Sequence, residues 1–124
     1  MNNLNSILLE GNLTRDPELK QNVNGVSYCQ LSIATNRYFK QHDEYKEEVS
    51  YFEVVTYGRL AAICAEYLCK GRGVRVVGRL KQFRWHNEKG KPRSRVMIIA
   101  EHVEFRPRSG SGGVKDQDNR NKKD

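Results

Sequence analysis

One helical stripe stands among runs of strict alternation in this chain, and that contrast limits the folds open to it. Leu60, Ile63, Cys64, Tyr67 and Leu68 recur at i, i+3, i+4, i+7 and i+8, which predicts a helix over Arg59 to Lys70 with a single apolar face. Gly71 is expected to stop it at the C-terminal side. Elsewhere apolar residues alternate with the two-residue period of a strand. Val26 to Thr35 aligns Cys29, Leu31 and Ile33 on one face. Val49 to Tyr57 sets Phe52, Val54 and Thr56 against Tyr51, Glu53, Val55 and Tyr57. Val74 opens a further strand in which Gly78 is a bulge or a barrel corner. Arg93 to Phe105 is the last, with Val96, Ile98 and Ala100 opposed to Arg93, Arg95 and Met97.

Punctuation between these runs completes the layout. Leu4 to Leu13 predicts a first strand that bends at Gly11, followed by a turn at Asp16-Pro17-Glu18. Asn22-Val23-Asn24-Gly25 is a hairpin signal, and Asn87-Glu88-Lys89-Gly90 turns the chain again. Residues 37–48 are charged and non-periodic, which predicts a long exposed excursion between strands. The order is three strands, one helix, two strands. It predicts an all-β chain, a five-stranded Greek-key OB-fold barrel with one helix between strands three and four; another small barrel fits the same string. Residues 1–105 form the expected domain. Residues 106–124 start with Gly/Ser linker chemistry and end too polar to bury a core, so they are expected to be a disordered basic tail.

Composition restricts the function. With 124 residues the chain holds one ordinary domain, and no run approaches the roughly 20 apolar residues of a membrane span. The opening Met1-Asn2-Asn3-Leu4 has no signal-peptide character, so a cytoplasmic setting without membrane contact is expected. The formal charge is +7. Residues 106–124 hold six Lys/Arg against three Asp, a net of +3, and the other +4 belongs to residues 1–105. Cys29, Cys64 and Cys69 cannot all pair within one chain, which points to reduced thiols. These cysteines and His42, His86 and His102 are scattered and predict no metal site and no cofactor. Asp16, Glu18, Glu53 and Glu101 fall in unrelated segments, Gly71-Arg72-Gly73 is too short for a phosphate loop, and no serine has a Gly-x-Ser-x-Gly context. No catalytic set can be named, so the chain is expected not to be an enzyme.

What remains is a constellation of rings and cations. Arg79, Lys81, Phe83 and Trp85 share one strand face by parity, and Tyr51 shares a face with Tyr57. Phe39 stands at the start of the charged excursion. Around them lie Arg37, Lys40, Arg59, Arg72, Arg84, Arg93 and Arg95. Rings that stack on bases contribute about 1–3 kcal/mol per base with little regard to which base it is. Cations on phosphates release counterions and make affinity salt-dependent. The plainer reading of each piece is partial core for Tyr51, Tyr57 or Phe83, and solvated surface for a lone cation such as Arg72 or Arg93. Tyr67 belongs to the helix stripe and to the core. Trp85 borders a polar turn, where exposure is expected.

Several blocks carry a resemblance. Asn5-Ser-Ile-Leu-Leu-Glu-Gly-Asn-Leu-Thr-Arg-Asp-Pro17, Leu31-Ser-Ile-Ala-Thr-Asn36, Val54-Val-Thr-Tyr-Gly-Arg-Leu-Ala61, Glu66-Tyr-Leu-Cys-Lys-Gly71 and Val76-Val-Gly-Arg-Leu80 resemble, in order, the bacterial single-stranded DNA-binding proteins. The resemblance runs from about Asn5 to Phe105. It implies base stacking by Phe39, Tyr51, Tyr57 and Trp85, with Phe39 and Tyr51 at positions that often hold tryptophan. It implies groove cations at Arg59, Lys70, Lys81 and Arg84. It also implies a homotetramer paired through the N-terminal strand around Ile7, in a cytoplasmic, nucleoid-associated setting. The family's acidic, apolar-tipped end, which recruits replication and repair proteins, has no counterpart in Asn119-Arg-Asn-Lys-Lys-Asp124. Either the sequence is cut short or this member recruits no partners in that way.

The expected function is sequence-tolerant binding of single-stranded DNA in replication, recombination and repair, protecting strands and melting hairpins by mass action. An OB-fold accessory of the primosome or of RNA metabolism is the second reading. A small nuclease is the third, disfavoured because no metal or acid–base set supports it.

Overall fold

The computed structural model describes residues 1–107, and the expected tail lies outside them from residue 108 onward. Six strands and one helix follow in the order β1 (Ile7–Leu13), β2 (Leu19–Gln21), β3 (Ser27–Gln41), β4 (Glu44–Tyr57), α1 (Gly58–Tyr67), β5 (Gly73–His86) and β6 (Pro92–Phe105). The sheet runs β1-β5-β6-β4-β3 and closes on itself where β1 also pairs β3, with the three-residue β2 laid along β3. Apart from β2, this is the five-stranded Greek-key barrel expected, with α1 between the third and fourth barrel strands. All pairings are antiparallel except β4 with β6, which meet in parallel at Val54–Ile98 and Val55–Ile99.

Two glycines let the barrel close. β1 leaves β5 for β3 at Asn12, and a Cβ on the adjacent Gly11 would lie 2.3 Å from the Ala34 carbonyl oxygen. At Gly78 the β5–β6 register slips: Val77 faces His102, whereas Gly78 faces Ala100. Glu101 is the extra residue of this bulge, and a Cβ on Gly78 would stand 2.2 Å from the Ile99 carbonyl oxygen.

The barrel interior holds Leu13, Cys29, Leu31, Ile33, Val54, Val74, Val76, Ile98, Ala100 and Val103, sealed at one end by Ala61 and Cys64 of the helix and by Leu68 just after it. The buried Thr56 hydroxyl donates to the Cys29 carbonyl at 2.9 Å. A second, smaller apolar cluster of Val55, Met97 and Ile99 lies on the outside of the same strands, with Tyr28 and Phe83 packed against it. Strands β4 and β6 are therefore buried on both faces at this point.

Three expectations are corrected. The segment 37–48 is no loose excursion. It is the outer half of a long β3–β4 hairpin, paired from Arg37–Glu48 to Gln41–Glu44. His42 and Asp43 form its two-residue turn, both with positive φ (52° and 63°), the conformation that suits the twist of a hairpin. Next, the helix ends at Tyr67, short of Lys70. Leu68 is already extended, its N–H donating to the Cys64 carbonyl at 3.0 Å, so that its side chain can enter the core. Gly71 (φ 90°) sits in the following turn and donates to the Leu13 carbonyl instead of capping the helix. Finally, Leu19–Gln21, absent from the expected strands, pairs with β3 and forms the first arm of the Asn22–Gly25 hairpin.

Candidate nucleic-acid interface

Antiparallel partners directly opposite each other share a sheet face, so the registers assign the faces. On β5 and β6 the outward pairs are Arg79–Ile99, Lys81–Met97, Phe83–Arg95 and Trp85–Arg93. Val55 lies beside Ile99, and across from β4 stand Tyr28 opposite Tyr57, Gln30 opposite Val55, Ser32 opposite Glu53 and Ala34 opposite Tyr51. One continuous outer face therefore carries Tyr28, Tyr51, Tyr57, Phe83 and Trp85 together with Arg79, Lys81, Arg93 and Arg95. Its floor is the cluster of Val55, Met97 and Ile99.

The centre of this face is a cleft of about 280 Å³ lined by Asn22, Tyr28, Gln30, Val55, Tyr57, Phe83 and Met97. Phe83 is half-buried against the floor, and the Lys81 ammonium lies 5.0 Å from its ring centroid. Further along β5, Trp85 is 47 % exposed. A second cleft of about 410 Å³ at the tip of the β5–β6 hairpin is lined by Trp85 and Arg93 but mainly by residues of the opposite parity, Gln82, Arg84, His86, Pro92 and Ser94. The turn beyond is held by Asn87, whose side-chain oxygen accepts from the N–H groups of Lys89 and Lys91 at 2.9 Å each. Asn22 holds the β2–β3 turn in the same way, accepting from Asn24 and Val26.

Charge on this face is positive. Glu53 is matched by Arg15 at 3.4 Å and Glu101 by Arg79 at 3.7 Å, which leaves Lys81, Arg93 and Arg95 for an anionic ligand. Exposed rings over an apolar floor, flanked by cations, suit a ligand with flat apolar faces and an anionic backbone.

Most of the other expected site residues lie elsewhere. Arg37 and Phe39 point to the opposite face of the β3–β4 hairpin, stacked on each other with the guanidinium 4.7 Å from the ring centroid. Lys40 shares the parity of Tyr51 and forms an ion pair with Asp43 at 3.7 Å. Arg84 has the opposite parity to Trp85 and donates to Gln82 at 2.8 Å. Arg59 is exposed at the start of α1, next to Tyr57, and Lys70 follows the helix with its N–H donating to Asp16 at 2.7 Å. Arg72 is turned to the far end of β6, donating to the Arg106 carbonyl at 3.0 Å and lying 5.7 Å from the Phe105 ring centroid.

Tyr28, Met97 and Arg15 are not among the site residues expected from the sequence. Tyr28 has the opposite parity to Cys29, Leu31 and Ile33, and that parity was the available signal. Met97 sits between Arg95 and Ile99, which hides it in a run that reads as basic on one side and apolar on the other. Nothing in the sequence links Arg15 to Glu53, 38 residues away.

The Single-strand binding protein family matches residues 4–106. A single-stranded DNA-binding protein of Treponema pallidum is 43% identical over 105 residues, covering 85% of this chain and 59% of the relative. One of Borreliella burgdorferi is 37% identical over 119 residues, covering 95% and 79%. The chain thus spans less than two thirds of the Treponema relative's length. Among solved structures, a Plasmodium falciparum SSB in complex with ssDNA superposes with a TM-score of 0.76 at 27% identity, covering 86% of this chain and 98% of the other. A deletion mutant of the single-stranded DNA-binding protein from Thermus aquaticus gives 0.75 at 29%, covering 88% and 52%.

Proposed function

The chain belongs to the single-strand binding protein family, and from that premise we propose that it binds single-stranded DNA without sequence preference and without catalysis. Tyr51, Tyr57, Phe83 and Trp85 stack on bases, and Lys81, Arg93 and Arg95 neutralise phosphates. One observation carries this reading: three strands bring these rings and cations onto a single outer face, over an apolar floor. A duplex buries the faces of its bases, so a site built from stacking rings takes the open strand. Binding then pulls the melting equilibrium of hairpins and duplex ends towards single strands. Replication, recombination and repair in the bacterial cytoplasm and nucleoid are the settings where such strands arise.

The protein also associates with itself in this reading. Among the described residues β1 pairs with β5 along Ile7–Asn12 and with β3 only at Asn12 and Leu13. Its second edge from Ile7 to Glu10 has no strand beside it, and Leu8, 77 % exposed, points outward from that segment. A free strand edge with an exposed leucine supports edge-to-edge pairing with a second copy, and pairs of such dimers give the homotetramer.

Titration with oligo-dT of increasing length, with molar mass read by light scattering, tests both parts. The expected result is a protein mass of four chains and saturation at a fixed number of nucleotides per assembly. A monomer without detectable oligo-dT binding overturns the reading.

A further inference from the structure

The groove face does not stop at Tyr51. On the outer half of the β3–β4 hairpin the same parity continues through Asn36 opposite Val49, Tyr38 opposite Glu47 and Lys40 opposite Tyr45. Tyr38 and Tyr45 are thus diagonal neighbours on the face that bears Tyr51, with Val49 between Tyr38 and Tyr51. Six residues of strand place Tyr45 roughly 20 Å beyond Tyr51.

These rings do little for the fold. Tyr38 is 72 % exposed and Tyr45 84 %. The Lys40 ammonium lies 5.8 Å from the Tyr45 ring centroid, and its Nζ is 3.7 Å from Asp43. Tyr38 stands opposite Glu47 across the hairpin, and the carboxylate there raises the pKa of its hydroxyl. Both residues are large, apolar in the body and placed on solvent, on a face already lined with stacking rings. Phe39, by contrast, is partly covered by Arg37 on the other side of the hairpin.

We propose that Tyr38 and Tyr45, with Lys40, form an outer stacking site for single-stranded DNA, continuous with the barrel face through Tyr51. This rests on the function proposed above. A short strand fills the barrel clefts alone, whereas a longer one runs out along the hairpin and stacks on these two rings. Glu47 gives the outer site less phosphate attraction than the barrel, so stacking carries it.

Affinities of the full chain for dT8 and dT35 at fixed salt test the proposal, in the unaltered protein and in the variants Tyr38→Ala/Tyr45→Ala, Tyr38→Phe/Tyr45→Phe and Trp85→Ala. Loss of one stacked base predicts that the double alanine variant binds dT35 at least about 5- to 150-fold more weakly. Its dT8 affinity and its melting temperature stay unchanged, and the double phenylalanine variant keeps dT35 binding. Unchanged dT35 affinity in the double alanine variant, with Trp85→Ala still weakened, overturns the outer site and leaves the barrel site standing. Equal losses on dT8 and dT35 also overturn it, because the hairpin rings then belong to the inner path. If Trp85→Ala leaves both oligomers unaffected, the barrel reading itself fails and this one with it.

Discussion

The Lys81 ammonium sits 5.0 Å from the centroid of the Phe83 ring, two residues along the same outward face of β5. The ring is anchored on one side by Val55, Met97 and Ile99, and the cation attends its open side. A cation over a ring contributes about 0.5–1 kcal/mol at exposed sites, little enough for a base to displace it. Lys81 is then free to meet the phosphate of the nucleotide whose base takes its place.

Lys81→Ala is therefore expected to flatten the salt dependence of oligo-dT binding. Each single-strand phosphate contact contributes about 0.7 to the slope of log affinity against log salt, so the slope should become shallower by about that amount. Arg72→Ala serves as the contrast, since that side chain is directed at the Arg106 carbonyl and the Phe105 ring. Its slope should match that of the unaltered protein.

Gly78→Ala tests the bulge that aims β5. The added methyl would stand 2.2 Å from the Ile99 carbonyl oxygen, and that backbone is held by β4 as well as β5. A loss of about 1–3 kcal/mol in urea unfolding is expected, as for other overpacked sites. Oligo-dT affinity should fall too, because Lys81, Phe83 and Trp85 all follow the bulge.

Burial pushes the Cys64 thiol up from its ordinary 9.0 to about 12, and burial raises Cys29 as well. A raised thiol pKa favours the folded state fully below pH 9. That contribution is lost as pH climbs from 9 towards 12, because the unfolded thiol ionises and the folded one does not. Stability should drop above pH 9 by about 1.4 kcal/mol per pH unit for Cys64. Cys64→Ala lowers stability at neutral pH through the cavity it leaves, and its decline above pH 9 should be shallower by that amount. Urea midpoints between pH 8 and 10.5 measure the difference.

Sequence legibility followed burial. Where one strand face is covered, alternation is a faithful record, so the barrel strands, the Gly78 bulge and the shared face of Lys81, Phe83 and Trp85 could be read directly. The outer hairpin is solvated on both faces, so nothing in residues 37–48 selects apolar residues at every second position. Its turn uses His42-Asp43 in place of the usual Asn-Gly. Register sets Phe39 and Lys40 on opposite faces and puts Tyr38 and Tyr45 beside Lys40, an arrangement that composition alone does not carry. β2 was illegible for a similar reason, having three exposed residues and no buried face. The helix end was misplaced because Leu68 keeps the apolar spacing after the backbone has already become extended.

Trp85 is the chain's single tryptophan and stands half-exposed on the proposed DNA path. Its emission therefore reports on that path alone. A base stacked on the indole replaces water and quenches it, so addition of oligo-dT should lower Trp85 fluorescence to a plateau at saturation. Trp85→Ala should weaken binding by about 1–3 kcal/mol. Emission unchanged at saturating oligo-dT, with binding verified by anisotropy of the labelled strand, would contradict the account.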